Sequence, residues 1–321
     1  MYSNRRENKM DLIDVTLRDG GHAVNFDWDP DIVKEYYDTV SKIKEITYIE
    51  MGYWKQTAKS KNKFYNLNID ILTNILGENP YKKVSIMIDY HYCNKDYKEY
   101  PTKNQNIVGM IRVCSRKNDL DEALIFAQGL KEHTGLKVSL NVFNISNYTE
   151  AEINQVVDKV TNFDLDYVYF ADTHGSLDFS IDGQRFVNGV SKLRKSGIKV
   201  GMHLHDHRGK AFSNFKMLKE IGFTGFDAST RGMGKGVGNL KLENVINEDD
   251  VVNIMNFTSK HEKQFTMRES PYGAITALHS ITDYYGYYAE KKNIPLLEFN
   301  DICKSITGTD KDVFNIDLLK R

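Results

Sequence analysis

Short runs of apolar, often β-branched residues recur along the chain with helix-forming stretches between them, and this alternation constrains the fold more than any other feature of the sequence. The runs cover 12–17, 46–51, 84–89, 107–114, 138–143, 167–171, 200–205 and 223–229. Most are near-continuously apolar, the pattern of parallel strands covered on both faces. Asp29-Pro30 supplies an N-cap and a favourable first helical position for a helix predicted over 31–44. Further helices are predicted over 119–133, 149–162, 183–196 and 210–221. Eight strands alternating with helices predict an α/β chain folded as a TIM (β/α)8 barrel.

One crossover breaks the pattern. The segment 89–106 is rich in Tyr, Lys and Asn and contains Pro101, so no long helix is predicted there. After the eighth run, a glycine-rich loop over 232–239 leads to a short helix predicted over 240–246. With 321 residues there is room for a barrel and an appendage. The expected division is a barrel over 1–248 and a helical C-terminal region over 249–321, serving as a lid, an oligomer contact or a partner contact. The tyrosines of the latter, among them Tyr272, Tyr284 and Tyr288, are read first as helix packing.

The balance of 43 basic against 44 acidic residues gives no electrostatic footprint for nucleic acid or an anionic membrane surface. The basic start containing Arg5-Arg6 is followed by no apolar stretch long enough for a signal peptide or a membrane span. Cys93, Cys114 and Cys303 are odd in number and scattered, which fits neither a disulfide framework nor a metal knuckle. A reducing, cytoplasmic location is expected.

In a barrel of this kind the chemistry belongs at the carboxyl ends of the strands. Several candidate groups fall there. The first run ends in Thr16-Leu17-Arg18-Asp19-Gly20-Gly21-His22, and the seventh in Met202-His203-Leu204-His205-Asp206. Two imidazoles spaced by two on a strand point to one face. Asp19 would add a hard oxygen, and two imidazoles with one carboxylate suit an octahedral catalytic ion better than a closed structural zinc. Taken alone, the Arg18 to His22 segment also reads as an ordinary turn, and His203 and His205 as core histidines. The glycine-rich loop lacks the Lys-Ser/Thr ending of a phosphate loop and does not open a nucleotide-binding unit.

Together, the motifs Asp14-Val15-Thr16-Leu17-Arg18-Asp19-Gly20-Gly21-His22-Ala23, Ala171-Asp172-Thr173-His174-Gly175, His203-Leu204-His205 and Gly232-Met233-Gly234-Lys235-Gly236-Val237-Gly238-Asn239-Leu240 resemble those of the DRE-TIM metallolyases. That superfamily contains the HMG-CoA lyase-like and pyruvate carboxyltransferase-like domains, and the likeness is greatest to the 4-hydroxy-2-oxovalerate aldolase branch. The resemblance implies a divalent ion, Mn²⁺ first, with Co²⁺, Mg²⁺ and Zn²⁺ as alternatives. Asp19, His203 and His205 would hold it, with Asn239 a further ligand. It implies Arg18 facing an enolate oxygen, His22 as general base and Thr173 at the substrate carboxylate. Tyr272 lies near a tyrosine position of the aldolase C-terminal region. The expected activity is cleavage or formation of a 4-hydroxy-2-oxo acid through a pyruvate enolate, with a 2-oxo acid and an aldehyde as the small-molecule partners.

Relatives that use acyl-CoA tend to read Arg-Asp-Glu where this chain has Arg18-Asp19-Gly20, which favours the aldolase branch. A Claisen-type acyl-CoA synthase or lyase is the alternative, and a degenerate scaffold or partner-binding barrel the third reading. A homodimer and an acylating aldehyde dehydrogenase partner are further expectations of the resemblance. Asp206 stands where the aldolase has Asn, and Thr173-His174 where it has Ser-Ala, so the aldehyde stays open.

Overall fold

The computed structural model describes residues 10–55, 61–267 and 270–320. Eight parallel strands close on themselves: β1 (Asp11–Asp14), β2 (Ile46–Tyr53), β3 (Val84–Asp89), β4 (Val108–Ser115), β5 (Lys137–Val142), β6 (Tyr167–Asp172), β7 (Lys199–Leu204) and β8 (Gly225–Ala228). Each strand pairs with its neighbour in sequence, and β1 closes on β8 through Asp11 beside Gly225 and Asp14 beside Ala228. The predicted TIM barrel is the observed one.

Helices return the chain between strands. They are α1 (Pro30–Val40), α2 (Ile69–Leu76), α3 (Leu120–Thr134), α4 (Glu150–Val160), α5 (Phe179–Asp182), α6 (Gln184–Lys195) and α7 (Ala211–Ile221). Local chemistry sets their ends. Asp29 caps α1 by accepting from the Asp31 and Ile32 amides, and Thr149 and Glu152 form a capping box at α4. In the expected irregular crossover between β3 and β4 the chain makes only 3-10 turns, at Tyr97–Glu99 and Lys103–Gln105. The short α2 was not among the predicted helices. Asn68 caps it by accepting from Ile71 N at 2.9 Å, and its buried Leu72, Ile75 and Leu76 pack on the barrel. The helix predicted over 240–246 is a single 3-10 turn, Leu242–Asn244, because Asn239 and Lys241 before it are held in bridges to His205 and Ser229, just past β7 and β8.

The C-terminal part is helical: α8 (Glu248–Lys260), α9 (Pro271–Leu278), α10 (Tyr284–Lys291) and α11 (Leu296–Ser305). The expected division at 248/249 falls at the start of α8. Ile254 and Phe257 of that helix share the barrel's main core, and Phe257 packs on Tyr36 of α1 at 5.4 Å. A second core, built on Ile281, Tyr285, Ala289, Phe299 and Ile302, unites α10 and α11.

A separate apolar cluster joins Ile13, Val15, Tyr48, Met110, Tyr167 and Tyr169. A methyl at Gly225 would stand 2.6 Å from the Tyr169 hydroxyl oxygen, so the ring occupies space that only glycine leaves open. Nearer the carboxyl end the interior turns polar, with Glu50, Arg112, Asp227 and His203 in place of apolar side chains.

Candidate metal centre and active site

His203 lies on β7 and His205 one residue beyond it, so the strand alternation sends both rings inward. Asp19 reaches the same point from the turn after β1. Its Oδ2 is 3.8 Å from His203 Nε2 and 3.9 Å from His205 Nε2, and the two imidazole nitrogens are 3.1 Å apart. One donor atom from each residue lies within 4.8 Å of the others. All three residues are buried.

The tautomer of His203 follows from its other nitrogen. Nδ1 donates to Asp227 Oδ2 at 2.9 Å, which leaves the Nε2 lone pair facing Asp19 and His205. Burial works against a charge on Asp19, yet the Arg18 guanidinium beside it holds its carboxyl far below the usual range. Burial likewise keeps His205 neutral by pushing its pKa well down. Two imidazole nitrogens and a carboxylate oxygen thus converge in a buried site.

The glycine-rich loop completes this arrangement. Asn239 forms an antiparallel bridge with His205, and its amide nitrogen donates to Asp19 Oδ2 at 2.7 Å and to the Met233 carbonyl at 3.0 Å. Its Oδ1 is buried with no partner. A methyl at Gly234 would fall 2.6 Å from Asp19 Oδ2, so backbone rather than side chain lines that edge of the carboxylate. The donor set of two imidazoles and a carboxylate, with an orphaned amide oxygen beside it, fits a divalent ion.

The other predicted residues fall in different places. Arg18 is buried, donates through Nη1 to Asp19 Oδ1 and through Nε to Glu50 Oε1 at 2.5 Å. His22 sits in the 3-10 turn Gly20–Val24, with Nε2 3.4 Å from the Tyr53 hydroxyl and its ring edge-on to Phe26. Burial lowers its pKa to about 4. Thr173, just past β6, accepts from the Asn144 amide at 3.0 Å. Tyr272 does not join the constellation through its hydroxyl, which donates to the Ile294 carbonyl at 2.6 Å while the ring packs on Phe299.

The residues not anticipated are Glu50, Arg112 and Asp227. A signal for them existed: each is a charged residue within an apolar run that reads as a fully buried strand. The C-terminal helices also reach the barrel mouth. Asp283, at the start of α10, pairs with Lys235 of the glycine-rich loop at 2.8 Å, and Gly273 of α9 packs against Val237. Asp312 accepts from Asn147 at 2.8 Å and lies 2.9 Å from His174 Nε2.

A model of the HMGL-like family matches residues 82–262, more than half of the chain and the part that contains His203, His205 and Asn239. The chain belongs to the HMGL-like family. A 4-hydroxy-2-oxovalerate aldolase from Geobacillus genomosp. 3 is 23% identical over 243 residues, covering 72% of this chain and 68% of the relative. An oxaloacetate decarboxylase from Mycobacterium tuberculosis is 21% identical over 241 residues, with 72% and 67% covered. A homocitrate synthase from Pyrococcus abyssi is 25% identical over 246 residues, with 73% and 64% covered. In fold, the HMGL-like barrel superposes on the carboxyl transferase domain of Rhizobium etli pyruvate carboxylase with TM-score 0.71 at 12% identity, over 94% of this chain and 57% of that one. The family relatives are named for making or breaking carbon–carbon bonds, and the chain is an enzyme of that lyase type. No helix among the described residues is long and apolar enough to cross a membrane.

Proposed function

We propose that this HMGL-like protein is a divalent-metal-dependent aldolase that splits or forms a 4-hydroxy-2-oxo acid, with pyruvate as one product or substrate. The observation that carries this reading is the meeting of Asp19, His203 and His205 within 4.8 Å, with Arg18 and His22 on the same turn as Asp19. Asp19, His203 and His205 would hold the ion, with Asn239 turning its amide to become a fourth ligand. A bound Mn²⁺ would supply Lewis-acid stabilisation of the enolate charge that develops as the carbon–carbon bond breaks.

The chain's own groups do the rest. Arg18 is fixed between Asp19 and Glu50, so its positive charge is preorganised where the enolate oxygen forms. His22 is half-buried and unprotonated at pH 7, so its ring can accept the C4 hydroxyl proton. In the condensing direction it returns that proton to the new alkoxide. Thr173, held by Asn144, offers its hydroxyl to the substrate carboxylate. The three cysteines are free and buried, which supports the cytoplasmic assignment.

Incubating the Mn²⁺-loaded protein with a panel of 4-hydroxy-2-oxo acids and assaying pyruvate tests the proposal, and absence of pyruvate from all of them would sink it. The homocitrate synthase relative keeps a second reading open, condensation of an acyl-CoA with a 2-oxo acid. Release of free thiol from acetyl-CoA in the presence of 2-oxo acids distinguishes it. The presence of every ligand residue argues against a degenerate scaffold. An acylating aldehyde dehydrogenase partner and a homodimer remain part of the proposal only as uses for the C-terminal helices.

A further inference from the structure

Beneath the cation site the barrel interior carries a ring of side chains linked by ion pairs and hydrogen bonds, open only between Asp19 and His203. We propose that Arg112, which touches none of the ligand residues itself, is a positioning residue that locks the two ligand-bearing arms into one unit. Arg112 lies midway along β4 and is fully buried. Its Nη1 donates to Glu50 Oε2 at 3.0 Å, and its Nη2 grips both oxygens of Asp227 at 2.8 and 3.0 Å.

From Glu50 the ring continues through Arg18 Nε, and from Arg18 to Asp19. From Asp227 it continues to His203 Nδ1. Asp19 Oδ2 and His203 Nε2 then face each other at 3.8 Å, across the gap that a bound ion would bridge. The guanidinium is also held from its face, with Cζ 4.4 Å from the Tyr169 ring centre. Its position is therefore fixed by two carboxylates and an aromatic face.

Two physical roles for Arg112 make opposite predictions. The ring holds three carboxylates against two guanidiniums, one negative charge in excess, which favours a cation beside Asp19. If Arg112 acted through charge alone, removing it would leave a larger excess and bind a cation more tightly. If it acts by position, its loss frees Glu50 and Asp227 to repel each other, releases the carboxylate that orients His203, and weakens binding. The geometry favours position, since Nη1 on Glu50 and Nη2 on both oxygens of Asp227 set the two carboxylates apart in the plane of one rigid guanidinium.

The proposal rests on reading Asp19, His203 and His205 as a cation site, and Mn²⁺ titration of the unsubstituted protein by calorimetry tests that reading separately. Given binding, Arg112→Lys and Arg112→Met are each expected to weaken the Mn²⁺ Kd by about 10-fold or more, with folding checked by circular dichroism. A folded Arg112→Met that binds Mn²⁺ as tightly or more tightly than the parent overturns the proposal. Asp227→Asn keeps the shape if an Arg112 variant fails to fold, and the same loss of Mn²⁺ affinity is expected. Because the ring acts as a unit, combining Arg112→Lys with Asp227→Asn should weaken binding little beyond the more severe single change. Losses that multiply would show two independent effects and overturn the ring.

Discussion

His22 illustrates how a single residue's role depends on what surrounds it. Burial holds its pKa at about 4 despite the pull of Asp19, so at neutral pH it is an acceptor, beside the Tyr53 hydroxyl. Replacing it by Asn is expected to lower kcat for pyruvate formation by about 10²–10⁴-fold with the Mn²⁺ Kd unchanged; parallel loss of Mn²⁺ binding would move His22 into the ligand set. His207 has a different part. Its Nε2 accepts from the Val237 amide at 3.2 Å, and burial lowers its pKa to about 4. The unfolded chain therefore takes up a proton between pH 6.5 and 4 that the folded chain refuses, and this destabilises the fold as pH falls through that window. A His207→Gln variant escapes the penalty. In metal-free buffer its stability deficit against the parent should narrow by about 2 kcal/mol between pH 7 and pH 5, read by denaturant unfolding at both pH values.

At the level of elements, the C-terminal helices meet the barrel loops through two polar junctions. Lys235 and Asp283 pair across the first. Burial opposes the charge on Asp283, but Lys235 holds its pKa at about 2, so the pair survives mild acid. Asp312 adds a second junction through Asn147 and His174. Replacing Asp283 by Asn removes one charged partner from a largely buried pair, a change worth about 1–3 kcal/mol. Amide exchange in α9 and α10 should then quicken by about 10-fold or more, while β3 to β6 keep their protection. Uniform acceleration across the barrel would show that the pair supports the whole fold rather than the docking of these helices. The helical character of the C-terminal region was legible in the sequence, with a lid among its expected uses, but the contacts that join it to the barrel loops were not. The contacts that place it join residues as far apart as Asn147 and Asp312, and no local pattern registers them.

For the whole molecule, a site drawn from the first and the seventh strand couples metal to stability. The ligands come from the turn after β1 and from the end of β7, so an ion binding them ties distant parts of the chain together. Mn²⁺ at 100 times its Kd should add about 2.7 kcal/mol to folding stability. A chelator should reverse the accompanying rise in Tm, and Asp19→Ala should abolish it. No rise in the parent protein would remove the cation site from the account.

The sequence by itself determined the barrel, because eight buried parallel strands leave their mark as eight apolar runs. It also determined that Asp19, His203 and His205 would meet, because groups at the carboxyl ends of such strands share one mouth. Turn and cap chemistry placed α1 and α4, while α2, a short helix of eight residues, went unpredicted because its ends are set by Asn68 and by packing. Only the tertiary structure decided the ring of Glu50, Arg112 and Asp227. These residues stand on β2, β4 and β8, separated by 62 and 115 positions. Which interior side chains share a layer depends on the stagger between strands around the closed barrel, a property of the assembled sheet that no single strand carries.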